Sequence, residues 1–133
     1  MFSNGFIWTL TDVAHEEEPW NIPLPFMMQL FSIFLRGSKM VYEKMGYQGE
    51  LQSTFGLRGV RGVPIRVTDD LGFIGGNKPA LNDTYEVDFK TSTVELNDEE
   101  GFAQTYLSPA RRMCYTLGYD DLGDDYLLRY KNK

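Results

Sequence analysis
At 133 residues, with 42% hydrophobic residues and nine Phe, eight Tyr and two Trp, the chain is the size of one domain and too apolar to be disordered. The single cysteine, Cys114, excludes an internal disulfide, and a net charge of −6 argues against a dedicated nucleic-acid clamp. One domain spanning 1–133 is the expectation.

Residues 1–11 lack the basic start and small-residue cleavage pattern of a signal peptide, so the expected location is the cytoplasm. Phe6, Ile7, Trp8, Thr9, Leu10 and Thr11 read as a short strand, and a polar connection through His15 and Glu16, Glu17 and Glu18 follows. Pro23 and Pro25 suit the first turn of a helix, where a missing N–H costs nothing. That helix is expected to run to Met45, with Lys44 in its last turn and Gly46 closing it. It is apolar over more than the roughly 100° of an ordinary surface helix. One stripe holds Phe26, Leu30, Phe34, Gly37, Val41 and Met45, and another holds Met27, Phe31, Leu35, Ser38 and Tyr42. Such a helix needs cover on two sides. Met27, Phe31 and Leu35 are therefore candidate interface residues, toward another domain, a protein partner or a second copy. The apolar run at 24–35 is interrupted by Pro25, Gln29 and Ser32 and falls short of the about 20 residues of a membrane span, so no membrane partner is expected.

Between 50 and 58 the chain alternates, with Leu51, Phe55 and Leu57 on one face and Glu50, Gln52, Thr54 and Arg58 on the other. A glycine-rich turn at 59–62 leads to a second strand at 63–67, with Ile65 and Val67 inward and Arg66 outward; Pro64 suits an edge. Asp69 and Asp70 begin a turn, and 75–79 reads as a loop. Residues 84–90 alternate again, with Tyr85, Val87 and Phe89 together; Val94 and Leu96 continue the strand on even positions beyond a break. Asp98 reads as a helix cap followed by Glu99 and Glu100. Pro109 interrupts or restarts that helix, whose later face carries Ala110, Met113, Cys114 and Leu117. The tail is charged but docks through Leu122, Tyr126, Leu127 and Tyr130. The fold class expected is α+β: an antiparallel sheet of about four to five strands with two main helices on one face.

The charge is uneven. Residues 36–66 carry six bases against two acids inside an otherwise acidic chain. They can complement the chain's own acids or meet an anion. Arg58, Arg61 and Arg66 are the candidate anion-binding residues, because guanidinium forks suit phosphate and carboxylate. If the two strands flanking 59–62 pair as a hairpin, the three share one patch. The competing reading is a turn whose glycines take positive φ and whose arginines face water. No metal site, cofactor or catalytic constellation is expected. His15 stands beside consecutive acids that cannot converge on one ion, Cys114 falls on an apolar helix face, and the four acids among 120–125 lack the spacing of a calcium loop. The Asn82-Asp83-Thr84 glycosylation triplet is common by chance.

The stretch Tyr42-Glu43-Lys44-Met45-Gly46-Tyr47-Gln48-Gly49-Glu50-Leu51, followed by Leu57-Arg58-Gly59-Val60-Arg61-Gly62, resembles a region downstream of the Schlafen/AlbA-type DNA-binding domain of bacterial proteins often labelled ATP-binding. The resemblance covers residues 26–62 and carries no catalytic residue. It implies an accessory part of a larger, DNA-associated protein. The leading expectation is thus a non-catalytic interaction or regulatory module. A weak anion- or nucleic-acid-contacting domain using 36–66 is the alternative, and an enzyme with a site of ordinary Asp, Arg and Tyr residues is a third.

Overall fold
The computed structural model describes residues 21–69, 72–119 and 122–131. The expected strand at 6–11, His15 and its neighbouring acids, and Asp70, Asp120 and Asp121 lie outside the described residues. The elements in order are β1 (Ile22–Pro23), α1 (Leu24–Met45), β2 (Glu50–Arg58), β3 (Pro64–Asp69), β4 (Gly72–Pro79), β5 (Thr84–Ser92), α2 (Thr93–Asn97), α3 (Glu99–Thr116) and α4 (Asp124–Leu128).

The class is α+β, but the expected single antiparallel sheet with two helices on one face is corrected. The described strands form two sheets: a mixed one in the order β1-β3-β4, and an antiparallel pair β2-β5. In the first, β1 runs parallel to β3, with Ile22 opposite Ile65. In the second, nine consecutive residue pairs run from Glu50–Ser92 to Arg58–Thr84. Alternation predicts which residues of a strand share a face; it carries no information on which strand lies alongside. So β2 and β3, neighbours in the chain, belong to different sheets. The expected loop at 75–79 is part of β4. Residues 93–97 form a helical turn rather than further strand. Ser92 ends β5 and accepts a hydrogen bond from the Glu95 backbone N–H at 3.1 Å, so its hydroxyl caps α2.

The helices begin and end largely where their capping residues direct. Pro25 sits in the first turn of α1, and Gly46, at φ 71°, closes it in the left-handed conformation. The Asp98 carboxylate accepts from Gly101 N–H at 2.9 Å to start α3. Pro109 lies inside α3, which continues through it to Thr116.

In the core, an aromatic group centred on Phe31 of α1 ties this helix to the β2-β5 pair and to α3. Its ring stacks on Phe55 of β2 at 4.2 Å and meets the edge of Phe89 of β5 at 5.7 Å and the ring of Tyr106 of α3 at 5.8 Å. Around it pack Leu24, Met28, Ile65, Val67, Leu96 and Met113, each 2% exposed or less. Two buried tyrosine hydroxyls tie later elements to this core. Tyr106 donates to the Leu127 carbonyl at 2.7 Å, and Tyr119 donates to the Ile65 carbonyl at 2.6 Å. Ser32 and Arg36 both donate to the Lys131 carbonyl, so the tail docks on α1, with Tyr126, Leu127 and Tyr130 buried.

Candidate interaction site
Met27, Phe31 and Leu35 are 1%, 4% and 2% exposed and lie in the chain's own core. The stripe expected to meet a partner is therefore the side of α1 covered by the rest of this chain. The apolar circumference is nonetheless wider than that contact. Leu30, Phe34 and Val41 are half-buried, and between them Ile33 and Met40 are 55% and 57% exposed, with Gly37 exposed in the same row. The spacing 33, 37, 40 is one outward line at helical period. A side chain at Gly37 would meet nothing within 4 Å, so the line is open at its midpoint. Neither expected stripe contained Ile33 or Met40. The available signal was the breadth of the apolar arc; its uncovered part is set by tertiary packing.

Near the C-terminal end of α1, on another side of the helix, lies a surface hollow of about 250 Å³ lined by Lys39, Glu43, Tyr47, Val94, Leu96 and Asn97, among others. Leu96 is buried at its base, while Tyr47 and Val94 stand 43% and 75% exposed at its rim. A pair of bonds holds the walls together: Thr93 N–H donates to the Gly49 carbonyl at 3.0 Å, and Gly49 N–H donates to Thr93 Oγ1 at 3.1 Å. Burial, together with the nearby Tyr47 hydroxyl, raises the pKa of Tyr42 above its ordinary value. Val94 escaped the sequence reading because it was placed on a strand; the cap at Ser92 turns it outward on α2.

A second hollow, of about 270 Å³, lies between β5 and α3. Thr91 Oγ1 there donates to Glu95 Oε2 and shares a hydrogen bond with Thr105 Oγ1, both at 3.0 Å. Thr91 and Thr105 are buried, and their hydroxyls are satisfied by one another and by Glu95, as buried polar groups require.

The three candidate anion-binding arginines are exposed, but their expected grouping required β2 and β3 to pair, and they do not. Arg58 stands at the end of β2, 3.7 Å from Glu86 across the strand pair, with its side chain 80% exposed. Arg66 is on β3. Arg61 sits at a turn in which Gly59 and Gly62 take φ of 70° and 80°. That turn is anchored on the chain itself. Val60 is buried, its N–H donates to the Asp83 carbonyl, and Gly62 N–H donates to the Ala80 carbonyl at 2.8 Å. Only glycine accepts those φ values without strain, so the glycines have a structural use independent of any anion. Arg36, from the same basic segment, is spent internally on the Lys131 carbonyl, with its guanidinium 5.7 Å from the Phe102 ring centre.

Cys114 is 2% exposed, and burial pushes its thiol up to about 12. A thiol held protonated in apolar surroundings is a poor nucleophile. Among the described residues no group of three or more His, Cys, Asp or Glu could hold a metal ion, and no helix is long and apolar enough to cross a membrane. Comparison with known proteins returns no match among family models, curated proteins or solved structures.

Proposed function
We propose that the chain is a non-catalytic interaction or regulatory module, an accessory part of a larger, DNA-associated bacterial protein, that docks a neighbouring domain or protein through the outward side of α1. One observation carries the reading. The Ile33–Gly37–Met40 line is apolar and exposed on the side of α1 opposite the core. Isolated exposed apolar residues are ordinary on soluble proteins; a continuous row flanked by half-buried Leu30, Phe34 and Val41 has the make-up of an interface core. The motif at 42–51 that resembles the Schlafen/AlbA-associated region spans the end of α1 and one wall of the hollow, which supports the accessory role.

The test is site-specific photo-crosslinking in the producing cell. A crosslinking residue at position 33 or 40 should give a discrete higher-mass product, and one at position 104, on the exposed side of α3, should not. Equal products at all three positions, or none at any, would count against the α1 surface. The anion-binding alternative rests on the exposure of Arg58, Arg61 and Arg66. It requires nucleic-acid binding at low salt that the double variant Arg58→Ala, Arg61→Ala abolishes.

A further inference from the structure
Among the described residues the strand pair β2-β5 has two open edges, and they differ in their guard: β5 carries Glu86, Asp88 and Lys90 and its Asp88 carbonyl accepts from Arg112, whereas the interior of β2 has neither charge nor such a cover. Among the described residues β2 pairs with β5 alone, so its second row of backbone N–H and C=O groups has no strand partner there. The core face of β2 is the less covered of the two: Leu51, Ser53 and Phe55 are half-buried and Leu57 buried, while on β5 Phe89 is half-buried and Tyr85, Val87 and Thr91 are buried. Natural edges are usually blunted by lysine, proline, a bulge or inward charge. None of these occurs in β2, whose nine residues pair with β5 without a register shift and carry charge only at the two ends, Glu50 and Arg58.

Those two ends are complementary to each other. Set β2 antiparallel to a second β2 with Thr54 opposite Thr54. Glu50 then faces Arg58, Leu51 faces Leu57, Gln52 faces Gly56 and Ser53 faces Phe55. Core-facing residues meet core-facing residues, and each end pairs opposite charges. A slip of one residue would set inward side chains against outward ones. A slip of two would place Glu50 opposite Gly56 or Val60 and lose both charge pairs. We propose that two copies of this chain associate edge to edge through β2 in this register, forming one antiparallel sheet in the order β5-β2-β2-β5. The Arg58–Glu86 contact, at 3.7 Å between side chains 80% and 49% exposed, is loose enough to yield Arg58 to the second copy. The strand supplies nine residues per side. A standard interface uses about 20–30 per side, so the dimer is weak and its dissociation constant falls in the micromolar range or above.

Sedimentation equilibrium of the full chain, from micromolar to millimolar concentration, tests the assignment. The parent should self-associate. Glu50→Arg and Arg58→Glu should each raise the dissociation constant about tenfold, because symmetry turns two attractive pairs into two repulsive ones. The double variant Glu50→Arg, Arg58→Glu should return it to within about threefold of the parent, since cross-strand charge pairs act through sign and register. Thermal unfolding of each variant establishes that the fold is retained. A parent that stays monomeric, an association indifferent to Glu50→Arg, or a double variant that is not restored would each overturn the proposal. So would an association that Ile33→Glu abolishes and Glu50→Arg leaves alone, because that result moves the contact to α1.

Discussion

The two long helices meet at the Phe31–Tyr106 contact and then differ in what they do with their other side. On α3 the far side is mostly polar and used at short range: Arg111 makes two bonds to the Asp124 carboxylate, at 2.7 and 3.0 Å, and Arg112 donates to the Asp88 carbonyl at 2.7 Å. On α1 the far side presents Ile33, Gly37 and Met40. The fold accounts for every apolar position on α3 except Tyr115, which is 71% exposed, whereas on α1 it leaves a row over. A helix that is apolar beyond the needs of its own core carries information about something outside that core.

The sharpest way to break this comparison is to exchange neighbours on α1. Phe31→Ala should cost about 3–5 kcal/mol of stability, the range for emptying a packed aromatic site. Ile33→Ala, two positions on, should stay within about 0.5 kcal/mol, as for ordinary surface changes. Denaturant titration of both variants checks it; similar losses would mean that the outward row is covered by the chain itself.

On α3, a smaller effect is expected from Tyr106→Phe. The ring remains in its site, but the buried Leu127 carbonyl loses its donor. An unsatisfied buried acceptor costs about 1–3 kcal/mol. Heat denaturation should show the loss, and α4 amides should exchange faster with solvent. A variant as stable as the parent would show that the hydroxyl does not hold the tail.

The smallest effect concerns alkaline pH. Burial raises Cys114 to about 12 and pushes Tyr106 above its ordinary value, with the neighbouring Cys114 and Tyr130 adding to the latter. In the unfolded chain both groups ionise at lower pH than in the folded one, so the folded state holds more protons in that window. Stability is then fully present below the unfolded thiol pKa and is lost as pH rises through it toward the folded value. At pH 9 the thiol's share of that loss is under about 1 kcal/mol, taking about 8.5 for the unfolded group. Chemical denaturation at pH 7, 8, 9 and 10 measures it; Cys114→Ala should shift the curve down at neutral pH and flatten its alkaline fall.

How far the sequence was legible follows from the range of each signal. The bounds of α1, the Asp98 cap, the alternation of β2 and the inward face Ala110–Met113–Cys114 are local, set by residues within a turn or by period, and the structure agrees with each. Residues 93–97 misled because Val94 and Leu96 alternate, while the deciding group, the Ser92 hydroxyl on Glu95 N–H, acts only in one backbone conformation. The candidate site was half legible. Excess apolar surface on α1 was visible from composition and period, but the residues assigned to a partner were those that the core takes.

By itself the sequence determined the α+β class, the outline of α1 and the inward faces of β2, β3 and β5, because capping, helical period and strand alternation act over a few residues. Tertiary structure alone decided that β2 pairs with β5 and β3 with β1 and β4, since strand pairing depends on contacts distant in the chain. It also decided which side of α1 is buried. Two apolar stripes are equivalent in one dimension, and only the position of Phe55, Phe89 and Tyr106 around Phe31 makes one of them the inside.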